Sequence, residues 1–168
     1  MTFLPLLTLV GCGESKISQC NKLITEINRG QEAYEKSTSE MQNLGKFNPT
    51  NPEELKAQIT KIKDSLAIFV QNVRTVSQDI KALTLADTQL QELRTSYATQ
   101  LEAMATGLDD SGKAMSSLGE INFTATDAFK KVEASTKQIG ESIQTVSKAG
   151  LESNRIVGEI NTYCGAEN

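Results

Sequence analysis

Nine apolar residues between Leu55 and Leu83 fall at alternating steps of four and three: Leu55, Ile59, Ile62, Leu66, Phe69, Val73, Val76, Ile80 and Leu83. On a helix this spacing draws one apolar seam over four heptads, and a seam of that kind needs partners to cover it. The segment also begins as a helix should. Asn51 is placed to cap, Pro52 suits the first helical position, and Glu53 and Glu54 favour the positive end of the helix dipole. The spacing predicts a helix over about 52–83.

The same template recurs in three other segments. Ile17, Cys20, Ile24, Ile27, Gln31, Tyr34, Thr38 and Met41 keep it over about 14–45, where Gly45 and the Asn48-Pro49-Thr50 turn end the run. Leu90, Leu93, Tyr97, Leu101, Met104, Leu108, Ser111, Met115 and Leu118 keep it over about 88–119, with a stutter from Leu93 through Tyr97 to Leu101 that would unwind a supercoil locally. Two glycines in this third segment, Gly107 and Gly112, allow a rival reading in which the helix breaks there; continuity is favoured because Leu108, Ser111, Met115 and Leu118 stay in phase, with each glycine costing about 1 kcal/mol against alanine and marking the expected place for a kink. The last seam runs from Val132 through Thr136, Ile139, Ile143, Val146, Gly150, Ser153, Val157 and Ile160 to Cys164, over about 125–164. Thr124 and Asp127, three residues apart, read as a capping box at its start.

Four helices joined by short connections make an elongated, antiparallel, up-down-up-down four-helix bundle with coiled-coil-like packing the economical fold, all-α and a single domain over residues 12–168. Composition agrees: aromatics are 5% of the chain, and Trp and His are absent. At 1.5 Å per residue a 32-residue helix spans roughly 48 Å, so the expected body is slender.

The residue types needed for most enzyme chemistry are missing or scattered. Without histidine there is no Ser-His-Asp triad, no imidazole ligand for zinc or haem, and no Glu-x-x-His di-iron pattern. Adjacent acids such as Asp109 and Asp110 point to different sides of a helix, and neither phosphate-binding glycine motif is present. No catalytic residue, cofactor or metal site is therefore expected, and the protein is read as not an enzyme. A net charge of −4, with lysines and arginines dispersed, argues against a nucleic-acid partner.

The chain opens with an apolar run from Phe3 to Val10, closed by Leu9-Val10-Gly11-Cys12 and followed by Gly13 and Glu14. This resembles the lipobox of bacterial lipoproteins, over residues 1–14 only. The resemblance implies that residues 1–11 are a partial signal peptide, since no basic residue precedes Glu14, and that Cys12 is the site of lipid attachment. At eight residues the apolar run is far short of the ~20 needed for a permanent transmembrane helix. The resemblance further implies a membrane-anchored, extracytoplasmic protein of the cell envelope, in periplasm or at the cell surface, whose partners are the membrane through the lipid and another envelope protein or a second copy.

With Cys12 assigned to lipid, Cys20 and Cys164 remain. In an antiparallel bundle the start of the first helix and the end of the fourth share a pole, so a disulfide between them is natural; two separate buried thiols are the alternative. Gln31 lies eleven residues after Cys20, and Ser153 eleven before Cys164, which places both at one level, beside Gly30 and Gly150. They are expected to form a polar seam layer, joined by a hydrogen bond that fixes the register of a close approach between helices one and four. A cavity or ligand pocket at that level is the competing reading. Two functions follow: a non-catalytic interaction or spacer module, or an envelope carrier holding a small apolar ligand between helices, with Thr38, Ser111, Thr136, Gly150 and Ser153 giving it room.

Overall fold

The computed structural model describes residues 14–44, 51–122 and 124–165, apart from the side chains of residues 33, 36–38, 40–44 and 52. Residues 1–13, with Cys12 and the segment that resembles a lipobox, lie outside this set, as do the side chains of Thr38 and Met41. The described residues form a four-helix bundle: α1 (Lys16–Leu44), α2 (Pro52–Ala82), α3 (Thr88–Gly119) and α4 (Ala128–Cys164).

Local chemistry sets the helix starts. The Asn51 side chain accepts from the Glu54 amide at 2.8 Å, with Pro52 in the first turn of α2. Asp87 caps α3 in the same way, accepting from the Leu90 amide at 2.9 Å. The start of α4 departs from expectation. Thr124 donates both its amide and its hydroxyl to the Asn122 side chain, at 3.0 and 2.7 Å, closing a local turn. That bonding takes Thr124 out of a capping box, and the helix begins at Ala128, with Asp127 at the cap position making no side-chain cap bond. α3 runs without interruption through Gly107 and Gly112, so the continuous reading holds.

The core lies in the middle of the bundle and toward the pole that carries Cys20 and Cys164. Leu23, Ile27, Ile80, Leu90, Ile156 and Ile160 are fully enclosed. The α2 seam is buried from Leu66 to Ile80, whereas Ile59 and Ile62 are half-buried and Leu55 is exposed. Ion pairs such as Arg29–Asp79 between α1 and α2, and Arg74–Asp109 between α2 and α3, decorate the outside. Exposed pairs of this kind contribute roughly 0–1 kcal/mol each, so apolar burial dominates the packing.

The helices do not pack equally. Contact is most extensive between α3 and α4 and between α2 and α3, while α1 rests on α2 and touches α4 little. Small residues explain the tight α3–α4 pairing. A Cβ on Gly107 would lie 2.8 Å from Val146 Cγ2 and 3.0 Å from the Ser142 carbonyl oxygen, so only glycine permits this approach. On α4 the buried positions include Ala128, Ser135, Ser142, Ala149 and Ile156, a strict heptad. The expected partner stripe of that seam is rotated outward: Thr136 is exposed and Ile143 is 58% exposed. The apolar period was right, but of two possible stripes flanking Val132, Ile139 and Val146, α3 takes the one with smaller side chains. Ile17, expected in the α1 seam, is likewise exposed, and Leu23 is enclosed instead.

Candidate functional site

Where α1 and α4 diverge, the bundle holds a cleft of about 170 Å³ bounded by all four helices. Its apolar walls come from α2 and α3, chiefly Phe69, Val73, Val76, Tyr97, Leu101 and Met104. Gln31 of α1, Asn72 of α2 and Asn154 of α4 are exposed and form a polar rim. Tyr34 joins the lining from α1, its ring 5.3 Å from that of Phe69 at an interplanar angle of 57°. Among the described residues no charged side chain belongs to the lining.

One buried hydroxyl gives this apolar site a polar component. Ser153 is 6% exposed, lines the cleft, and its Oγ has no hydrogen-bond partner among the described residues. Tyr97, also in the lining, is 5% exposed, and burial pushes its phenol above the ordinary tyrosine range.

The register bond expected between Gln31 and Ser153 is absent. Both residues line the same cleft, as their shared level requires, yet Gln31 is exposed and the Ser153 hydroxyl stays unpaired. The expected close approach of α1 to α4 is missing for a visible reason. Gly30 serves α1 against α2, since a Cβ there would sit 2.6 Å from Val76 Cγ1. Gly150 has ordinary space, its nearest neighbour being Met104 Cε at 3.8 Å from an added Cβ. Of the residues expected to make room for a ligand, Gly150 and Ser153 line the cleft, Ser111 is buried outside its lining, and Thr136 is exposed.

At one pole the chain is tied together. Cys20 and Cys164 form a disulfide with Cα atoms 5.8 Å apart, within the range such a bond needs. Around it, Gln19, which is 3% exposed, accepts through Oε1 from the amides of Ala86 and Asp87, at 2.6 and 2.9 Å. Its Nε2 donates to the Glu14 carbonyl at 2.9 Å. The Tyr163 hydroxyl donates to Asp87 Oδ2 at 2.9 Å, and Lys16 Nζ stands 3.5 Å from the centre of the Tyr163 ring. α1, α4 and the α2–α3 connection thus meet in one polar network.

Sequence reasoning missed this network because a lone glutamine and a lone tyrosine carry no spacing signal. The one available hint was Gln19 beside a seam cysteine, where a polar residue has a chance of burial. Among the described residues no helix is long and apolar enough to cross a membrane. Compared with protein-family models, curated proteins and solved structures, the chain matches none.

Proposed function

We propose that the protein is a lipid-anchored, extracytoplasmic helical bundle that acts as a non-catalytic interaction or spacer module in the bacterial cell envelope. The observation that carries this reading is the Cys20–Cys164 disulfide, because such bonds persist in oxidising compartments. It consumes two of the three cysteines and leaves Cys12, the lipobox residue, for acylation. Only eight positions separate Cys12 from Cys20, so the tether enters at the cross-linked pole. A 31-residue helix spans roughly 47 Å, and the opposite pole would stand off from the membrane by about that distance. Exposed Ile68, Phe129, Ile143 and Leu151 offer apolar points of contact along the outer faces.

The test is acylation in the native host. Cells fed an alkyne-tagged palmitate should label the wild-type chain and not a Cys12→Ser variant, and the variant should leave the membrane fraction. Intact mass spectrometry showing an unmodified Cys12, or free thiols at both Cys20 and Cys164 in freshly prepared native material, would overturn the assignment.

The cleft favours a second reading, an envelope carrier for a small apolar ligand. It is built where such a carrier would hold one, between helices and lined by aromatic and aliphatic side chains. Solvent extraction of native protein followed by mass spectrometry tests this: a stoichiometric apolar molecule supports it, and an empty extract opposes it.

A further inference from the structure

We infer that the cleft is a binding site for a small neutral aromatic molecule, of the size of phenol or indole, carrying one hydrogen-bonding group that pairs with Ser153. This inference rests on the carrier reading and narrows it to a ligand class. Size comes first. About 170 Å³ is close to the ~150 Å³ of an engineered apolar cavity that accepts benzene, and well below the ~300 Å³ at which drug-sized sites begin. A molecule of three or more fused rings is too large.

Shape and polarisability come next. Phe69 and Tyr97 contribute aromatic rings to the lining, and Met104 a thioether, groups that favour another aromatic ring in tilted or edge-on contact. Charge is decided by the lining, which among the described residues has no acidic or basic side chain to pair with an ion in a desolvated site.

The hydrogen-bonding group is decided by Ser153. Several helical hydroxyls in this chain donate to the carbonyl four residues back, as Thr99, Thr106, Ser116, Thr145 and Thr162 do, and buried Ser77 donates across to the Ala98 carbonyl. Ser153 does not, although it is more than nine-tenths buried. A buried hydroxyl left without a partner is unfavourable, and a ligand O–H or N–H entering the cleft removes that penalty. Gln31, Asn72 and Asn154 at the rim keep the mouth wet and neutral.

The chain has no tryptophan, so added indole reports its own fluorescence. Titration of the full-length protein with indole should give a saturable blue shift at one site, reversed by phenol. Ser153→Ala should weaken indole and phenol by about 3- to 10-fold, the value of one hydrogen bond, while leaving benzene unchanged by saturation-transfer NMR. Gly150→Leu, which adds a side chain beside Met104 at the cleft, should abolish binding of all three with the helical circular dichroism retained. Absence of saturable binding, or a Ser153→Ala variant that weakens benzene as much as phenol, would overturn the assignment. If the native extract instead yields a stoichiometric apolar molecule without a ring, the ring assignment fails and the carrier reading stands; an empty extract together with no titration sinks both. Acylation of Cys12 has no part in the titration, so the anchoring proposal is tested separately.

Discussion

Gln19 accepts a hydrogen bond from the backbone amide of Asp87 at 2.9 Å, and so fixes the first turn of α1 to the cap of α3 across 68 residues of chain. The same Gln19 oxygen takes the neighbouring Ala86 amide. One buried side chain therefore satisfies two amides of the α2–α3 connection, which would otherwise face a crowded pole without partners.

Replacing Gln19 by leucine keeps the volume and removes both acceptor contacts. We expect a loss of about 1–3 kcal/mol in urea denaturation, from unpaired backbone donors. Gln19→Glu should retain part of the stability, because a carboxylate can still accept from both amides.

Breaking the disulfide should have a larger and more local effect. The chain-entropy model gives up to ~5 kcal/mol for closing a loop with a sequence separation of 144, an upper figure for the measurable loss. Because α1 has little other contact with α4, hydrogen exchange after reduction should rise first in α1, with α3 and α4 still protected. Uniform loss of protection across all four helices would contradict this division.

Two glycines inside helices should respond oppositely to alanine. Gly107→Ala forces a methyl against the Ser142 carbonyl and Val146, and should destabilise by about 1–3 kcal/mol. Gly140→Ala meets nothing within 4 Å on an exposed part of α4, and should stabilise by roughly 0.5–1 kcal/mol through helix propensity. Thermal denaturation of the pair measures both signs.

The polar pole also makes stability pH-dependent. The Leu90 amide holds the Asp87 carboxyl below the usual carboxylate range, with the Tyr163 hydroxyl adding to the effect and partial burial opposing it. A depressed folded-state value means that this contribution is complete above the unfolded value of about 3.9 and is lost as pH falls through the folded one. Asp87→Asn keeps a capping oxygen but cannot titrate, so its acid limb should be flatter than that of the wild type. Some slope should remain, because Glu14, Asp109, Asp127 and Glu152 are depressed as well. The Asp87 contact raises the Tyr163 phenol, a contribution present below about pH 10 and lost as pH rises through the folded value. Denaturation midpoints across pH resolve both limbs.

The helices were legible because their signals are local. Heptad spacing from Leu55 to Leu83 and the caps Asn51 and Pro52 depend on neighbours a few residues away, and the predicted spans fall within three residues of the observed ones. The pairing of Cys20 with Cys164 was legible for a topological reason, since antiparallel helices return the chain to its starting pole. The capping box at Thr124 failed because Asn122, only two residues upstream, competes for the same groups.

The candidate site was legible only as a level. Equal distance from the disulfide placed Gln31 and Ser153 together, but spacing along one helix cannot tell which neighbour each face will meet. Whether that level would close as a hydrogen-bonded layer or stay open as a cleft depended on packing elsewhere. α4 turns its Ser135, Ser142 and Ala149 stripe to α3 because glycine and small side chains allow close backbone approach there, and α1 is drawn to α2 by the Gly30–Val76 contact.

The amino-acid order by itself thus determined four amphipathic helices, their approximate limits and the cross-linked pole. Tertiary structure alone decided which stripe of each helix is buried, the role of Gln19, and the opening between α1 and α4. The physical reason is that helix formation reads contacts three and four residues apart, whereas the choice among nearly equivalent apolar stripes is made by steric fit between helices distant in sequence.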